Sequence, residues 1–276
     1  MNALHVARCF CLALGLTLVA HTSLAQPPEQ EAPPKSVPYE PSSGQQGKDV
    51  VWVPTSEQLV EKMLDLAAVK PDDYVIDLGS GDGRTVIAAA KRGATALGIE
   101  YNPDMVALSK TRAAETGVSE RATFAVADLF ASDFSRATVI TMFLLPDINL
   151  RLRPQILDLA PGTRIVSNTF TMGDWEPDKQ ETVANDCVSW CTALFWIVPA
   201  KVGGTWQTPD GPLTLEQQFQ NVTGTLGPTA ITGGRLNGDQ IQFQVGDVHY
   251  AGRVTSGAME GTLSGGRSGT WSATRQ

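Results

Sequence analysis

Val75-Ile76-Asp77-Leu78-Gly79-Ser80-Gly81-Asp82-Gly83 joins an apolar run to a glycine-rich turn, and its reading decides the fold. The run from Tyr74 to Leu78 has the composition of a strand buried on both faces. The turn delivers the chain to Thr85–Arg92, a helical pattern stopped by Gly93. Glycine has no Cβ and accepts positive φ, so backbone in this turn can pass close to a ligand. It also opens onto a helix N-terminus with free N–H groups. Gly79, Ser80, Gly81 and Gly83 are therefore candidate ligand contacts.

Outward from this stretch, strands and helices alternate. Upstream, Ser56 is placed to cap a helix whose apolar face is Leu59, Val60, Met63, Leu64 and Ala67. Downstream, Ala96–Glu100 reads as a second strand, and Asn102-Pro103-Asp104 opens a helix ending near Gly117. Thr123–Ala127 and Thr138–Phe143 read as a third and fourth strand. A helix over Asn149–Leu159 follows, and then a fifth strand, Arg164–Asn168. Such alternation demands parallel pairing with right-handed crossovers. The expected fold class is α/β, a Rossmann-like doubly wound sheet that binds ligands beyond the carboxyl ends of its strands. Asp77, Glu100, Asp128 and Phe143–Pro146 all fall at such ends.

Spacing narrows the ligand. A dinucleotide loop reads G-x-G-x-x-G, whereas Arg84 stands where the later glycine belongs, and no Lys-Ser or Lys-Thr pair follows as in a triphosphate loop. Glu100, about twenty residues past the turn, suits a ribose diol. Asp128 can accept from an adenine amino group, and Asp77 can meet an ammonium group or hold the N–H groups of the loop. Three acids of this kind match a diol, an adenine and a cationic amino acid tail better than a pyrophosphate.

The stretch Val75–Arg84 resembles the first motif of class I S-adenosylmethionine methyltransferases. More narrowly, residues 52–178 resemble the family of ATP synthase c-subunit lysine N-methyltransferases and its bacterial relatives. The matching stretches are Val53-Pro54-Thr55, Asp77–Lys91, Gly98–Pro103, Asp128-Leu129-Phe130, Phe143-Leu144-Leu145-Pro146 and Trp175-Glu176-Pro177-Asp178. The resemblance implies S-adenosyl-L-methionine as cofactor, held by Asp77, Gly79, Gly81, Glu100 and Asp128, with Thr55 near its amino acid end. It implies an acceptor pocket lined by Phe143 and Pro146, and a protein lysine as acceptor. Trp175 either closes that pocket or packs. Within the same fold, Glu181–Val198 is expected to form the reversed hairpin that ends the sheet, with Val188-Ser189-Trp190 at its tip. The flanking Cys187 and Cys191 then lie within disulfide reach. Their C-x-x-x-C spacing fits neither a redox pair nor a metal site, and no metal is expected.

The ends of the chain differ in character. Arg8, the apolar run Cys9–Ala20 and Ser23-Leu24-Ala25 read as an export signal over 1–25, too short to span a bilayer. That predicts an exported, periplasmic or secreted protein with no stable membrane span after cleavage. A cytosolic product from a downstream start is the competing expectation. Residues 26–50 hold six prolines and read as a disordered tether. The methyltransferase domain is expected over 51–202. From 203 to 276 glycine is dense, and Ile241, Phe243 and Val245 alternate with polar residues between short turns, predicting a small antiparallel β-barrel or sandwich. Trp206 and Trp271 sit in similar Gly-Thr-Trp settings near its ends, so its first and last strands are expected to pair. His249 and Tyr250 are its one reactive-looking pair. A net charge of −8, with no basic stripe, argues against a nucleic-acid partner.

Two functions accommodate these residues. One is methyl transfer from S-adenosylmethionine; the other is an exported, non-enzymatic adenosyl-ligand-binding protein whose β domain contacts a partner.

Overall fold

The computed structural model describes residues 39–184 and 187–276. The export signal over 1–25 and the first part of the proline-rich tether lie outside the described residues.

Ser56 caps the first helix, α1 (Glu57–Leu66), its hydroxyl accepting from the Leu59 N–H. Five parallel strands follow in the α/β half: β1 (Tyr74–Leu78), β2 (Thr95–Glu100), β3 (Ala122–Val126), β4 (Val139–Met142) and β5 (Arg164–Asn168). They are joined by α2 (Arg84–Lys91), α3 (Pro103–Glu115) and α4 (Pro146–Leu157). Two antiparallel strands, β6 (Lys179–Thr182) and β7 (Thr192–Ile197), complete a seven-stranded sheet ordered β3-β2-β1-β4-β5-β7-β6. The order reverses at β1, and β1 lies between β2 and β4. A crevice at that switch point is where such sheets take ligands.

Both faces of the sheet are covered, which explains the unbroken apolar runs of β1 and β4. Val75, Val139, Val166 and Phe195 pack with α1, α2 and α3 on one side. Ile76, Leu78, Ile140, Ile165 and Trp196 pack with Ile148, Leu152 and Ile156 of α4 on the other. Helix α4 starts at Pro146, three residues earlier than the periodicity predicts, because the fixed φ of proline suits a first helical position.

The C-terminal segment forms β8 (Gly204–Thr208), β9 (Gly211–Gln218), β10 (Asn221–Leu226), β11 (Thr229–Asn237), β12 (Gln240–Val245), β13 (Val248–Val254), β14 (Ala258–Gly265) and β15 (Gly269–Arg275). These close into an antiparallel barrel in which the first strand, β8, pairs the last, β15, through Gln207–Thr274 and Trp206–Arg275. Closure removes both sheet edges, and Trp206, Leu213, Phe243, Tyr250, Met259 and Trp271 fill the interior. His249 is exposed on β13.

The barrel docks on the sheet domain through polar contacts and an aromatic stack. Gln220, 2% exposed, donates to the Glu176 carbonyl at 2.9 Å, and Arg235 pairs with Asp178 at 2.7 Å. Phe219 stacks on Trp175 at 5.8 Å between centroids, and Trp196 donates to the Trp175 carbonyl. Trp175 is fully buried, so of its two expected roles it packs. The turn at Gly238 (φ +63°) meets Gly162 so closely that an added Cβ would lie 3.0 Å from the Gly162 Cα. Gly238→Val combines an unfavourable φ with a backbone collision. It is expected to lower stability by about 1–3 kcal/mol, measured as the urea midpoint; an unchanged midpoint would show that the docked turn contributes nothing.

Candidate active site

Above the β1 switch point lies a cavity of about 470 Å³. Its floor is the glycine turn, and its walls come from the carboxyl ends of β1, β2, β3 and β4. Gly79, Gly81 and Gly83 all have positive φ, at +76°, +51° and +82°. Each is also hemmed in: a Cβ would come within 3.0 Å of Leu144 at Gly79, 2.6 Å of the Trp52 indole nitrogen at Gly81, and 2.8 Å of Ser109 at Gly83. Gly79, Ser80 and Gly81 line the cavity. Gly83 does not; it caps α2 and lets the loop lie against Ser109 of α3 and Phe124 of β3, where a Cβ would have no room.

The three acids converge as expected, each held differently. Asp77 is buried and accepts a hydrogen bond from the Thr141 hydroxyl at 2.7 Å. Burial, reinforced by the charges of Glu100 and Asp82 and opposed by that hydrogen bond, pushes its pKa up to about 7. Glu100 accepts from the Gly81 N–H through one oxygen and from the Asn102 N–H through the other, both at 2.9 Å. It thereby ties the turn to the end of β2. Asp128 opens a single 3₁₀ turn, Leu129–Ala131, by accepting from the Phe130 N–H, and is paired with Lys48 at 2.6 Å. The hydrogen bond from Lys48 holds the Asp128 carboxyl below the ordinary aspartate range.

Arg84, itself a lining residue, anchors the turn. It donates to both carboxylate oxygens of the buried Asp82, at 3.0 and 2.7 Å, and to the Thr55 carbonyl at 2.7 Å. Burial alone would raise the pKa of Asp82, but the hydrogen bonds and charges of Arg84 and Arg112 outweigh it and lower it. Thr55 lines the cavity, its hydroxyl accepting from Asn168.

At the other end, beyond β4 and β5, the wall becomes aromatic. Phe143 stacks on Phe170 with centroids 5.9 Å apart, and Trp190 tilts against Phe143 at 6.0 Å. Pro146, expected to line this end, instead sits exposed at the first turn of α4, while Leu144 and Leu145 face the cavity.

Three contributors escape sequence pattern. Residues 39–50, expected to belong to a disordered tether, fold back: the Gly44 N–H donates to the Trp52 carbonyl, the Trp52 N–H donates to the Gln45 carbonyl, and Gln46 bridges Val51. This strap lays Trp52 over Gly81 and Lys48 over the Tyr101 ring, 4.8 Å from its centroid. Proline content alone does not reveal that an indole and an ammonium within reach have a floor and an acid to meet. Phe170 and Trp190 escape because they lie outside the strand-end pattern. Cys187 and Cys191 form the expected disulfide, with Cα atoms 5.7 Å apart.

The described cavity suits an adenosyl amino acid: acids spaced along β1, β2 and β3, a bare backbone floor, and the buried Ser80 hydroxyl without a hydrogen-bond partner. Comparison with known proteins agrees. A family model described as the ANTKMT methyltransferase domain matches residues 77–179, and a DNA methylase model matches 38–111. The chain is 43% identical over 133 residues to a protein-lysine N-methyltransferase of Saccharolobus islandicus, covering 47% of this chain and 83% of that protein. It is 36% identical over 128 residues to the human ATP synthase c-subunit lysine N-methyltransferase, spanning 46% of this chain and 54% of that one. The crystal structure of an RNA methyltransferase from Salinibacter ruber with S-adenosyl-L-homocysteine superposes with a TM-score of 0.51 at 43% identity, over 54% of this chain and 96% of that one.

The raised pKa of Asp77 carries a stability consequence. Between its ordinary value near 4 and its folded value near 7, the native state holds a proton that the unfolded chain has lost, so stability falls as pH rises across that window. Asp77→Asn removes the titration while keeping an acceptor for Thr141. Its melting temperature is expected to exceed that of the parent by a few degrees at pH 8, and to match it near pH 4. A variant equally destabilised at both pH values would show that Asp77 is not held at a raised pKa.

Proposed function

The chain belongs to the family of S-adenosylmethionine-dependent protein-lysine methyltransferases, and from that premise we propose that it methylates lysine side chains of proteins outside the cytosol. Methyl transfer and the cofactor follow from the family. The acceptor, the compartment and the role of each residue are our reading.

The carrying observation is the pairing of charges around the cavity. Its basic lining residues, Lys48 and Arg84, are paired to Asp128 and Asp82, while Asp77 and Glu100 also line it. Among the described lining residues a polyanionic acceptor finds no unpaired cation to neutralise its phosphates, and the net charge is −8. An amine finds acids and aromatic faces. This favours lysine over the RNA substrate named for the Salinibacter protein.

When bound, S-adenosylmethionine supplies a methyl carbon on a sulfonium, which an amine lone pair takes up to leave S-adenosylhomocysteine. In this reading Asp77 meets the ammonium of the cofactor, Glu100 its ribose diol and Asp128 its adenine, with Thr55, Gly79, Ser80 and Gly81 shaping the floor. Lys48 must release Asp128, or swing over the bound base. Phe143 walls the acceptor end, where the lysine ammonium gives its proton to solvent at the open mouth and positioning for an in-line approach then matters more than a dedicated base.

Export is supported by the signal over 1–25 and by the Cys187–Cys191 disulfide, a bond that persists in oxidising compartments. Fractionation of cells followed by thiol alkylation should find the protein outside the cytosol with both cysteines blocked; a reduced cytosolic protein refutes export.

Ionised Asp77 is the form that pairs with a cationic tail, so binding at pH 6 must first release a proton. The affinity for S-adenosylhomocysteine is expected to fall roughly tenfold from pH 7.5 to pH 6, read by calorimetry, and to lose this pH dependence in Asp77→Asn. Glu100→Ala should weaken binding at least tenfold at any pH. With S-adenosylmethionine and cell-envelope protein, mass spectrometry should find methyl groups on lysine; methylation confined to RNA, or absent despite cofactor binding, overturns the assignment.

A further inference from the structure

The hairpin between β6 and β7 ends in a tip that reaches back to the mouth of the cavity. Cys187 and Cys191 close it, and between them Trp190 holds φ +56°, a left-handed conformation that a bulky side chain adopts only at a cost. The ring gains little burial in return: Trp190 remains 43% exposed while lining the cavity. It packs against Phe143, which stacks on Phe170, so three rings from three separate segments meet at one end of the cavity. Leu145, 45% exposed, lines the same mouth.

The sheet order places this cluster beyond β1, on the side away from Glu100 and Asp128. Asp77 lies near the end of β1, Glu100 closes β2 and Asp128 follows β3, whereas Phe143 and Phe170 follow β4 and β5. Strands lie about 4.8 Å apart, so the β3 and β5 ends are separated by roughly 19 Å. One end of the cavity therefore carries Glu100 and Asp128, and the other carries the cluster of three rings. Aromatic faces attract an alkylated ammonium without competing for its protons, and they keep water from the aliphatic stem. A strained residue held by a covalent clip at a ligand mouth is what a pre-organised contact requires.

We propose that Trp190, positioned by the Cys187–Cys191 disulfide, is a specificity-determining residue that completes with Phe143 and Phe170 an aromatic receptor for the ammonium end of the acceptor lysine. This deepens the reading of the chain as a lysine methyltransferase and rests on it for the identity of the acceptor. The disulfide sets the pose of the ring, so the clip acts through Trp190 and not on the reaction itself.

The experiment separates this proposal from the parent reading by measuring binding without catalysis. The protein carries 5-fluorotryptophan, and the Trp190 resonance is assigned with Trp190→Phe. Nα-acetyl-Nε-trimethyllysine methylamide is then titrated with S-adenosylhomocysteine present, or without it if calorimetry shows no cofactor binding. The amide should shift the Trp190 fluorine signal and bind at least fivefold more tightly than the neutral Nε-acetyllysine analogue. Trp190→Gly relieves the backbone strain while deleting the ring, so it should fold with an unchanged or higher melting temperature yet lose at least fivefold in affinity for the amide. Its affinity for S-adenosylhomocysteine should stay within twofold of the parent. Cys187→Ser/Cys191→Ser should lose affinity in the same direction, and Trp190→Phe should recover most of it. In turnover assays the loss should appear in KM for a lysine peptide and not in kcat. Equal affinity of the parent and Trp190→Gly for the trimethylated amide overturns the proposal, as does equal affinity of the parent for the charged and neutral amides. Absence of methyl transfer with these binding differences intact refutes the parent reading alone.

Discussion

A carboxylate buried at the end of a parallel strand sets the terms for the rest of this structure. Asp77 takes one hydrogen bond, from Thr141 on the neighbouring strand, and sits between the charges of Glu100 and Asp82. In a low dielectric such a group is costly when ionised, which is why its pKa rises and why the surrounding turn is so heavily tied. Glu100 collects two backbone N–H groups, Arg84 collects Asp82 and the Thr55 carbonyl, and Ser109 donates to the Gly81 carbonyl. These contacts hold the turn open around an acid that is uncomfortable until a cation reaches it. The family's cofactor brings such a cation.

The same turn explains why three glycines recur within five residues without sharing one purpose. All three take left-handed φ, but Gly79 and Gly81 present backbone to the cavity while Gly83 makes room for Ser109 and Phe124. The barrel is independent of this logic. It closes its own edges around its own tryptophans, then meets the sheet domain through Trp175, Phe219 and Gln220. Its contacts fall on the segment Trp175–Asp178, which leads into the hairpin carrying Trp190.

Two segments far apart in sequence finish the cavity. The strap before α1 covers the turn with Trp52 and places Lys48 on Asp128. The clipped hairpin tip brings Trp190 against Phe143. One answers the acidic end with a cation, the other extends the aromatic end. The half-exposed Lys48–Asp128 pair is weak in water, so it can yield to a ligand that offers Asp128 a better partner.

By itself the sequence determined the sheet, its winding and the acids at its rim. Buried parallel strands leave unbroken apolar runs, and the residue closing each run is the one that faces the crevice; Asp77, Glu100 and Asp128 were legible for that reason. The hairpin disulfide and the pairing of the first and last barrel strands were legible too, because local spacing and turn chemistry constrain them. What spacing does not carry is the direction in which a residue faces once the chain has packed. Gly83 and Pro146 share the motifs of true wall residues, yet one packs against α3 and the other starts a helix on the surface. Only the tertiary structure decided that a proline-rich approach folds into a strap, that Arg84 reaches the Thr55 carbonyl, and that Phe143, Phe170 and Trp190 meet. Such contacts join segments tens of residues apart, and their partners are fixed by the sheet between them, not by any local pattern.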